Sequence, residues 1–237
     1  MQPFPSDSPP TEPPILEISV PEDRHLEGTP INITLTANLP GVRNKTTIKD
    51  FYIYITNFPE GSNFSAGYYN GSVWIFNATE VDEVQLTLPQ FYSGDVDLLV
   101  VALYHESTRE GTVHIPVQAI ATPPNLMVED TCFDNVTNGS TFVDLFIESS
   151  LADKDGSENL TVVITGIPNT AALSVGLRNS DGHYTLMPED FENRITLQLL
   201  NSTEPFEINI TAIATELTTG EMVYTNSSLS VSICISK

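Results

Sequence analysis

Residues 55–59 read Ile-Thr-Asn-Phe-Pro, and residues 164–168 read Ile-Thr-Gly-Ile-Pro. The offset between these stretches is 109 residues, and it stays between 109 and 112 along the chain. Further matching pairs are 13–14 with 123–124, 64–67 with 173–176, 84–88 with 195–199, and 96–106 with 206–216. Self-similarity at one fixed offset indicates that the chain contains two copies of the same module.

Each copy shows apolar residues alternating with polar ones and lacks helical periodicity. The alternating runs are short and separated by Gly, Pro and Asn, and they lie at 31–37, 51–56, 84–88, 96–104 and 113–119, then at 141–148, 160–165, 194–199, 206–214 and 222–235. The dipeptides Asn70-Gly71 and Asp181-Gly182 predict hairpin turns. About seven strands per hundred residues predict an all-β sandwich with Greek-key connections in each copy.

The predicted domain boundaries follow the two proline pairs. Residues 1–13 are a Pro-rich linker, residues 14–122 the first β-sandwich repeat, and residues 123–237 the second. The first ten residues lack the basic start and apolar run of a signal peptide. Because the glycosylation sequons described below nevertheless indicate secretion, we expect the chain to be a segment, or a processed piece, of a longer protein.

The charge balance restricts the partners. Nine Lys and Arg against 31 Asp and Glu give a formal charge of −22 over 237 residues. So acidic a chain repels phosphate backbones, which disfavours nucleic acid and favours calcium, basic proteins or solvent. The longest apolar run, Leu98 to Tyr104, is too short to span a bilayer.

Asparagine-linked glycosylation sequons are strongly over-represented. They occur at 11 of the 17 asparagines, whereas chance predicts roughly three in a chain that is about one-fifth Ser and Thr. The sequon residues are Asn32, Asn44, Asn63, Asn70, Asn77, Asn135, Asn138, Asn159, Asn201, Asn209 and Asn226. The alternation places Asn32 and Asn209 on the solvent face of their strands. We predict an extracellular, N-glycosylated protein.

One part of the second copy carries a family resemblance. Residues 153–158 read Asp-Lys-Asp-Gly-Ser-Glu before the alternating run 160–165, and Glu-Asp stands at 129–130. This pattern resembles the cadherin-like tandem repeats of large surface adhesins. The resemblance implies immunoglobulin-like sandwiches in long extracellular arrays, often rigidified by calcium at module junctions. The first copy departs from the pattern, because residues 39–45 contain two cations and no carboxylate.

Five acidic residues form the candidate calcium site: Glu129, Asp130, Asp153, Asp155 and Glu158. Calcium takes six to eight oxygen ligands, and crowded carboxylates repel one another unless a cation or solvent separates them. A solvated acidic loop is the favoured interpretation of these residues, and calcium binding is the alternative. Calcium binding predicts a higher melting temperature of the second copy.

Cys132 and Cys234 are the only cysteines and stand near the two ends of the second copy. Cys234 shares its strand face with Ser228, Ser230 and Ser232, so a bridge between them would be peripheral. An intramolecular disulfide is the favoured prediction, and free thiols or a link between chains are the alternatives.

No catalytic motif is present, and two modules of about a hundred residues each offer no deep cleft, so we expect no enzyme activity. Trp74 with Tyr68, Tyr69 and Phe76 could form a sugar-stacking platform, although a Trp in a hairpin belongs more often to the core. The four histidines, His25, His105, His114 and His183, lack metal-ligand spacing and are interpreted as surface residues.

The sequence therefore predicts a structural segment of an extracellular fibre, stalk or coat. Its modules would be stiffened by their sandwich fold and hydrated by glycans and negative charge, and their partners would be neighbouring copies of the same module or chain. The alternative is an adhesion module that binds a protein or glycan partner, with or without calcium.

Overall fold

A computed structural model describes residues 12–22, 24–42, 48–79, 81–134, 139–200 and 204–234. The chain divides into two compact units, Met1–Ala119 (unit 1) and Ile120–Lys237 (unit 2). Most of the predicted linker, residues 1–11, lies outside the described residues. Within the described ranges, no helix is long and apolar enough to cross a membrane.

Unit 1 is built from β-strands. In its described residues these are β1 (Ile15–Ser19), β2 (His25–Leu26), β3 (Ile31–Asn38), β4 (Phe51–Thr56), β5 (Asn63–Phe64), β6 (Tyr68–Tyr69), β7 (Trp74–Asn77), β8 (Glu83–Thr87), β9 (Gly94–Tyr104) and β10 (Ser107–Gln118). Each predicted run in the first copy overlaps one of these strands. The bounds differ most for β10, which begins at Ser107 rather than at residue 113.

The strands of unit 1 form two sheets. One has the order β1-β3-β8-β5, and the other has the order β2-β10-β9-β4-β7-β6. Strands consecutive in the chain alternate between the two sheets, except that β6–β7 and β9–β10 each stay in one sheet; such crossovers are those of a Greek-key sandwich. The inward residues of both sheets, such as Ile33, Ile53 and Val100, are fully buried in one core. Pleating turns alternate residues to opposite faces, and this explains the alternation in the sequence.

Unit 2 repeats the same plan. Its described strands are β11 (Asn125–Glu129), β12 (Thr131–Phe133), β13 (Ser140–Asp144), β14 (Phe146–Ser150), β15 (Glu158–Thr165), β16 (Ala171–Leu173), β17 (Leu177–Arg178), β18 (Tyr184–Leu186), β19 (Thr196–Leu200), β20 (Phe206–Glu216) and β21 (Met222–Ile233). The six-stranded sheet has the order β12-β21-β20-β15-β18-β17. That order matches the six-stranded sheet of unit 1 strand for strand.

The other strands of unit 2 form two smaller sheets, β11-β14 and β13-β19-β16, and here the structure differs from the prediction. A single strand over 141–148 was expected, but the chain forms β13 and β14, which are separated at Leu145. β13 pairs with β19, and β14 pairs with β11. The Leu145 N–H donates to the carbonyl of Ile195 at 3.0 Å, so the pairing partner changes at this residue. In unit 1, β3 stays continuous while it makes both pairings, with β1 and β8.

The strand order shows an all-β chain of two tandem immunoglobulin-like sandwiches. In each unit a parallel pair joins a short early strand to the last strand, β2 to β10 and β12 to β21. The remaining pairs are antiparallel, as in immunoglobulin-like domains.

The hairpin around Asn70 also differs in detail from the prediction. The Asn70 N–H donates to the carbonyl of Val73, and its Oδ1 accepts from the N–H groups of Ser72 and Val73, each at 3.0 Å. The two central turn residues are therefore Gly71 and Ser72, one position later than expected. Gly71 adopts a φ of 98°, which glycine reaches without steric cost.

Candidate functional site

The sequon asparagines occupy the surface. Seven of them lie among the described residues, and all seven are exposed: Asn32, Asn63, Asn70, Asn77, Asn159, Asn209 and Asn226. The other four predicted sites, Asn44, Asn135, Asn138 and Asn201, lie outside the described residues. A glycan needs an accessible amide nitrogen, and the described sites meet that requirement.

Two of these sequons face each other across a strand pair in unit 2. The register of β20 and β21 places Asn209 opposite Ser228 and Thr211 opposite Asn226. The Thr211 hydroxyl donates to Oδ1 of Asn226 at 2.8 Å. Asn159, on the neighbouring strand β15, points to the same face, because Thr165 of that strand lies opposite Asn209. One outer face of unit 2 therefore carries three sequons.

A cluster of three buried carboxylates is the unusual electrostatic feature of unit 2. Glu158 begins β15, Glu216 ends β20, and the register places them directly opposite each other. Asp153 joins them from the loop before β15. Their side chains are almost completely buried, with relative exposures of 1% for Asp153, 5% for Glu158 and 0% for Glu216. Like charges in direct opposition destabilise a strand pair.

Only one oxygen of each carboxylate in this cluster accepts a hydrogen bond. Asp153 Oδ1 accepts from the Asp155 N–H at 2.9 Å, and Glu158 Oε1 accepts from the Thr122 N–H. Glu216 Oε1 accepts from the N–H and hydroxyl of Thr218. The second oxygen of each carboxylate is buried without a hydrogen-bond partner. A buried polar oxygen without a partner carries its full desolvation cost.

Burial and nearby carboxylates affect the protonation of Asp153 and Glu158. Desolvation raises the pKa of Asp153, and the charges of Asp155 and Glu216 raise it further. Desolvation likewise raises the pKa of Glu158, with added contributions from Asp153 and Glu216. Hydrogen bonds from the backbone oppose both shifts. The folded state therefore favours the protonated form of both groups more than water does.

The structure brings together only part of the predicted calcium set. The β11–β14 register places Asn125 opposite Ser150, beside the Asp153 loop, and Glu129 opposite Phe146. Glu129 and Asp130 are therefore four or more residues away along β11, roughly 13 Å in an extended strand. Asp130 accepts instead from the Ser230 N–H at 2.7 Å. Among the residues that the structure describes, no group of three or more His, Cys, Asp and Glu side chains is positioned to hold a metal ion.

Sequence reasoning missed Glu216. Ile208, Ile210, Ala212 and Ala214 are the inward residues of β20, and the next inward position is Glu216. Continuing the alternation by one step would have identified a buried carboxylate. The burial of Glu216 could be predicted from its own strand, whereas its position opposite Glu158 depends on how the strands pair.

The two cysteines are joined. Cys132 and Cys234 form a disulfide across 102 residues, at the side of the six-stranded sheet. The Cys234 N–H donates to the carbonyl of Phe133, and Cys132 lies opposite Ser232. Cys132 is exposed, so the bridge is peripheral, as the alternation predicted. It ties the three-residue strand β12 to the last strand of the unit.

The aromatic platform divides between core and surface. Trp74 and Phe76 are buried and pack with Phe64, so they are core residues. Tyr68 and Tyr69 are exposed. The predicted platform of four rings therefore does not exist as a single exposed surface.

The histidines are not grouped. His114 lies on the surface, where its Nδ1 contacts Asp97 at 2.8 Å, and this hydrogen bond raises the pKa of the imidazole. His183 contacts Asp181 at 3.2 Å, and the His105 ring packs against Tyr104.

No protein-family model matches the chain, and no curated protein matches it. Solved structures of low identity do. The I67–I69 fragment of titin is 11% identical, with 94% of this chain and 66% of that chain covered and a TM-score of 0.32. Titin Z1Z2 in complex with telethonin is 11% identical, covering 94% and 98%, with a TM-score of 0.34. The D00–D0 domains of intimin are 14% identical, covering 91% and 99%, with a TM-score of 0.32.

Similarity at this level supports no inference about activity or partners. The classification rests on the strand order described above, and the resemblance to cadherin-like repeats stays a prediction. On that strand order, the chain is a tandem of immunoglobulin-like sandwiches.

Proposed function

We propose that the chain is a structural segment of an extracellular glycoprotein, a pair of stiff modules within a fibre, stalk or coat. Its role would be mechanical rather than catalytic. The observation that carries this proposal is the exposure of all seven described sequon asparagines. The disulfide supports it further, because such bridges form and persist in oxidising, extracellular environments. Neighbouring modules of the same kind are the proposed partners.

We expect the chain to carry several N-linked glycans when it is secreted from eukaryotic cells. Seven described acceptors are exposed, so the intact mass should fall by several glycan masses after enzymatic release of N-glycans. Mass spectrometry before and after release measures this loss, and peptide mapping assigns it to individual asparagines. The same chain made in a bacterial cytosol provides the matched control without glycans. A secreted chain whose mass equals that of the bare polypeptide would contradict the glycoprotein proposal.

We further propose that protonation of Asp153 and Glu158 at low pH relieves the repulsion within the buried cluster of unit 2, and that calcium relieves it at neutral pH. The unpartnered oxygens of Asp153, Glu158 and Glu216 match calcium in charge and donor type. These three residues would hold the ion after turning towards it, because they do not form a ready-made site. A bound calcium would supply positive charge that offsets their repulsion and would stiffen the ends of β15 and β20.

In the presence of a chelator, we expect unit 2 to become less stable as pH rises from about 4 to 8. A carboxyl group whose pKa is raised by folding does not lower the free energy of unfolding below its ordinary pKa, which is 3.8 for Asp153 and 4.5 for Glu158. Above that pH, the cost of ionising the buried group increases until the folded-state pKa is passed. Millimolar calcium should remove much of the loss at pH 7.5. Melting temperatures by circular dichroism, with and without calcium, measure both effects.

The two units can be followed separately in this experiment. Trp74 is the only tryptophan and lies in the core of unit 1, so its fluorescence reports unit 1 alone. Unit 1 has its own pH dependence, because the raised pKa of His114 adds stability at low pH that is lost as pH rises. The variant Glu216→Gln should weaken both the pH effect and the calcium effect in unit 2. A melting temperature of unit 2 that changes with neither pH nor calcium would refute the proposal.

Adhesion is the second candidate function. It is favoured by apolar side chains exposed on the outer face of the smaller sheets of unit 2. Phe142 and Leu200 are diagonal neighbours across the β13–β19 pair, and Met127 and Phe146 are diagonal neighbours across the β11–β14 pair. Exposed apolar side chains on a sheet face provide contact area for a partner protein.

A further inference from the structure

The outer face of the six-stranded sheet in unit 1 carries three neighbouring tyrosines on β4 and β6. Tyr52 and Tyr54 lie on β4 with their ring centroids 6.4 Å apart, and Tyr68 on β6 is 60% exposed. The charges of Tyr68 and Tyr52 contribute to a raised pKa of Tyr54, after desolvation as the main cause, so the three phenols are neighbours. Tyr side chains present an apolar ring and a polar tip on the same surface.

A sequon lies within this aromatic surface. The register of β4 and β7 places Asn77 directly opposite Tyr52, while Tyr54 and Tyr68 both lie opposite Ile75. Asn77 is exposed, and its Oδ1 accepts from the N–H and the hydroxyl of Thr79, the third residue of the sequon. Residues directly opposite in an antiparallel pair have Cβ atoms about 5 Å apart. A sugar attached to Asn77 would therefore begin beside the Tyr52 ring.

A groove runs past the same residues. It has a volume of about 380 Å³ and is lined by Tyr52, Tyr68, Ile75 and Asn77, with Gly67 and Val81 at its side. That volume lies at the lower end of the range of about 300–1,000 Å³ found for small-molecule sites. A sugar ring, with an apolar C–H face and polar hydroxyl edges, matches a groove lined by two phenol rings, apolar side chains and the Asn77 amide.

The second copy provides an internal comparison. The register in unit 2 pairs Val163 with Thr185 and Val162 with Leu186, so Thr161 and Met187 occupy the positions of Tyr52 and Asn77. Leu177 occupies the position of Tyr68. The sequon and the aromatic rings are thus present together in unit 1 and absent together from the corresponding positions in unit 2.

We propose that the N-linked glycan of Asn77 folds back onto this groove, with its first sugar ring stacked on Tyr52 and the chain continuing against Tyr68. The inference rests on the proposed glycoprotein function and assigns one glycan a structural role. Attachment joins Asn77 Nδ2 to the anomeric carbon of an oligosaccharide, with loss of one amide proton and departure of the lipid diphosphate that carried the sugar. In this position the glycan covers the rings of Tyr52 and Tyr68, which unit 1 otherwise exposes to water.

The test is a double-mutant cycle on the full secreted chain, with Trp74 fluorescence as the readout of unit 1. We expect Asn77→Gln to lower the melting temperature of unit 1 by about 4 °C in the glycosylated chain. In the Tyr52→Thr background, where the ring is replaced by the residue type of the second copy, the same change should lower it by less than about 1 °C. Tyr52→Phe keeps the ring and should restore the full effect.

Two controls isolate the glycan. Asn77→Gln in chain made without glycans should leave the melting temperature nearly unchanged. Asn32→Gln removes another exposed sequon of unit 1, whose neighbour across the strand pair is Gln85 rather than an aromatic ring, and should have little effect.

The outcomes separate this inference from the proposed function. Glycans on none of the sequons would overturn both. Glycans elsewhere with a bare Asn77 would overturn the inference alone. An occupied Asn77 whose removal has the same effect with and without the Tyr52 ring would also overturn it. Self-association of the unmodified chain that Tyr52→Thr abolishes would show instead that the aromatic face joins two copies.

Discussion

Replacing Cys132 and Cys234 together by serine is expected to lower the free energy of unfolding of unit 2 by up to about 4–5 kcal/mol. The bridge closes a loop with a sequence separation of 102 residues, so its removal greatly increases the conformational freedom of the unfolded chain. In the folded state, the bridge holds the three-residue strand β12 against β21. Backbone pairing and the buried Phe133 also hold this strand in the folded state, so the expected loss comes mainly from the unfolded chain.

Chemical denaturation followed by circular dichroism measures this loss. Unit 1 contains neither cysteine, so the transition reported by Trp74 should not move, and it serves as the internal control. Reduction of the unmodified chain should reproduce the effect of the double variant. A change in the unfolding of unit 2 below about 1 kcal/mol, within the effect of an ordinary surface substitution pair, would show that the bridge does not restrain the unfolded chain.

The variant Gly67→Ala is expected to destabilise unit 1 by about 2–5 kcal/mol. Gly67 has a φ of 75°, which costs a residue with a side chain about 1–2 kcal/mol. An added Cβ would also stand 2.6 Å from the Ile75 carbonyl oxygen and 2.7 Å from the Phe76 ring. The ring cannot move aside easily, because it is buried between Phe64 and Trp74. Overpacking of this kind costs about 1–3 kcal/mol more.

The matched control for this prediction is Gly71→Ala. Gly71 also has a positive φ, of 98°, but no atom lies within 4 Å of an added Cβ. Its cost should be the conformational part alone, about 1–2 kcal/mol. Denaturation followed by Trp74 fluorescence compares the two variants in the same unit. Equal losses of unfolding free energy in the two variants would mean that the close approach of Gly67 to β7 adds nothing to the cost of the substitution.

Several features of this protein could be read from local sequence. Asn209 lies between Ile208 and Ile210, and the structure buries both isoleucines and exposes the asparagine. The positions of most strands follow from the same rule, because pleating makes the side chain's face depend only on its place along its own strand. The fixed offset between the two copies likewise required no structure, and the six-stranded sheets of both copies have the same strand order.

Other features depended on pairing between distant segments. The calcium set was predicted from residues that are close in sequence or equivalent in a family, but the β11–β14 register separates Glu129 from Asp153. The same kind of register places Glu216 opposite Glu158 across 58 residues of sequence. The break at Leu145 has the same origin, because one run of alternating residues exchanges one partner strand for another.

The sequence alone determined that this chain folds as two β-sandwich modules with outward sequons, since alternation and repetition are properties of single strands and of the chain order. Only the tertiary structure decided which side chains meet across strands, such as Tyr52 with Asn77 and Glu158 with Glu216. The physical reason is that register is set by hydrogen bonding and packing between segments that are far apart in the chain. A one-residue shift in that register would leave the composition unchanged and alter every one of these contacts.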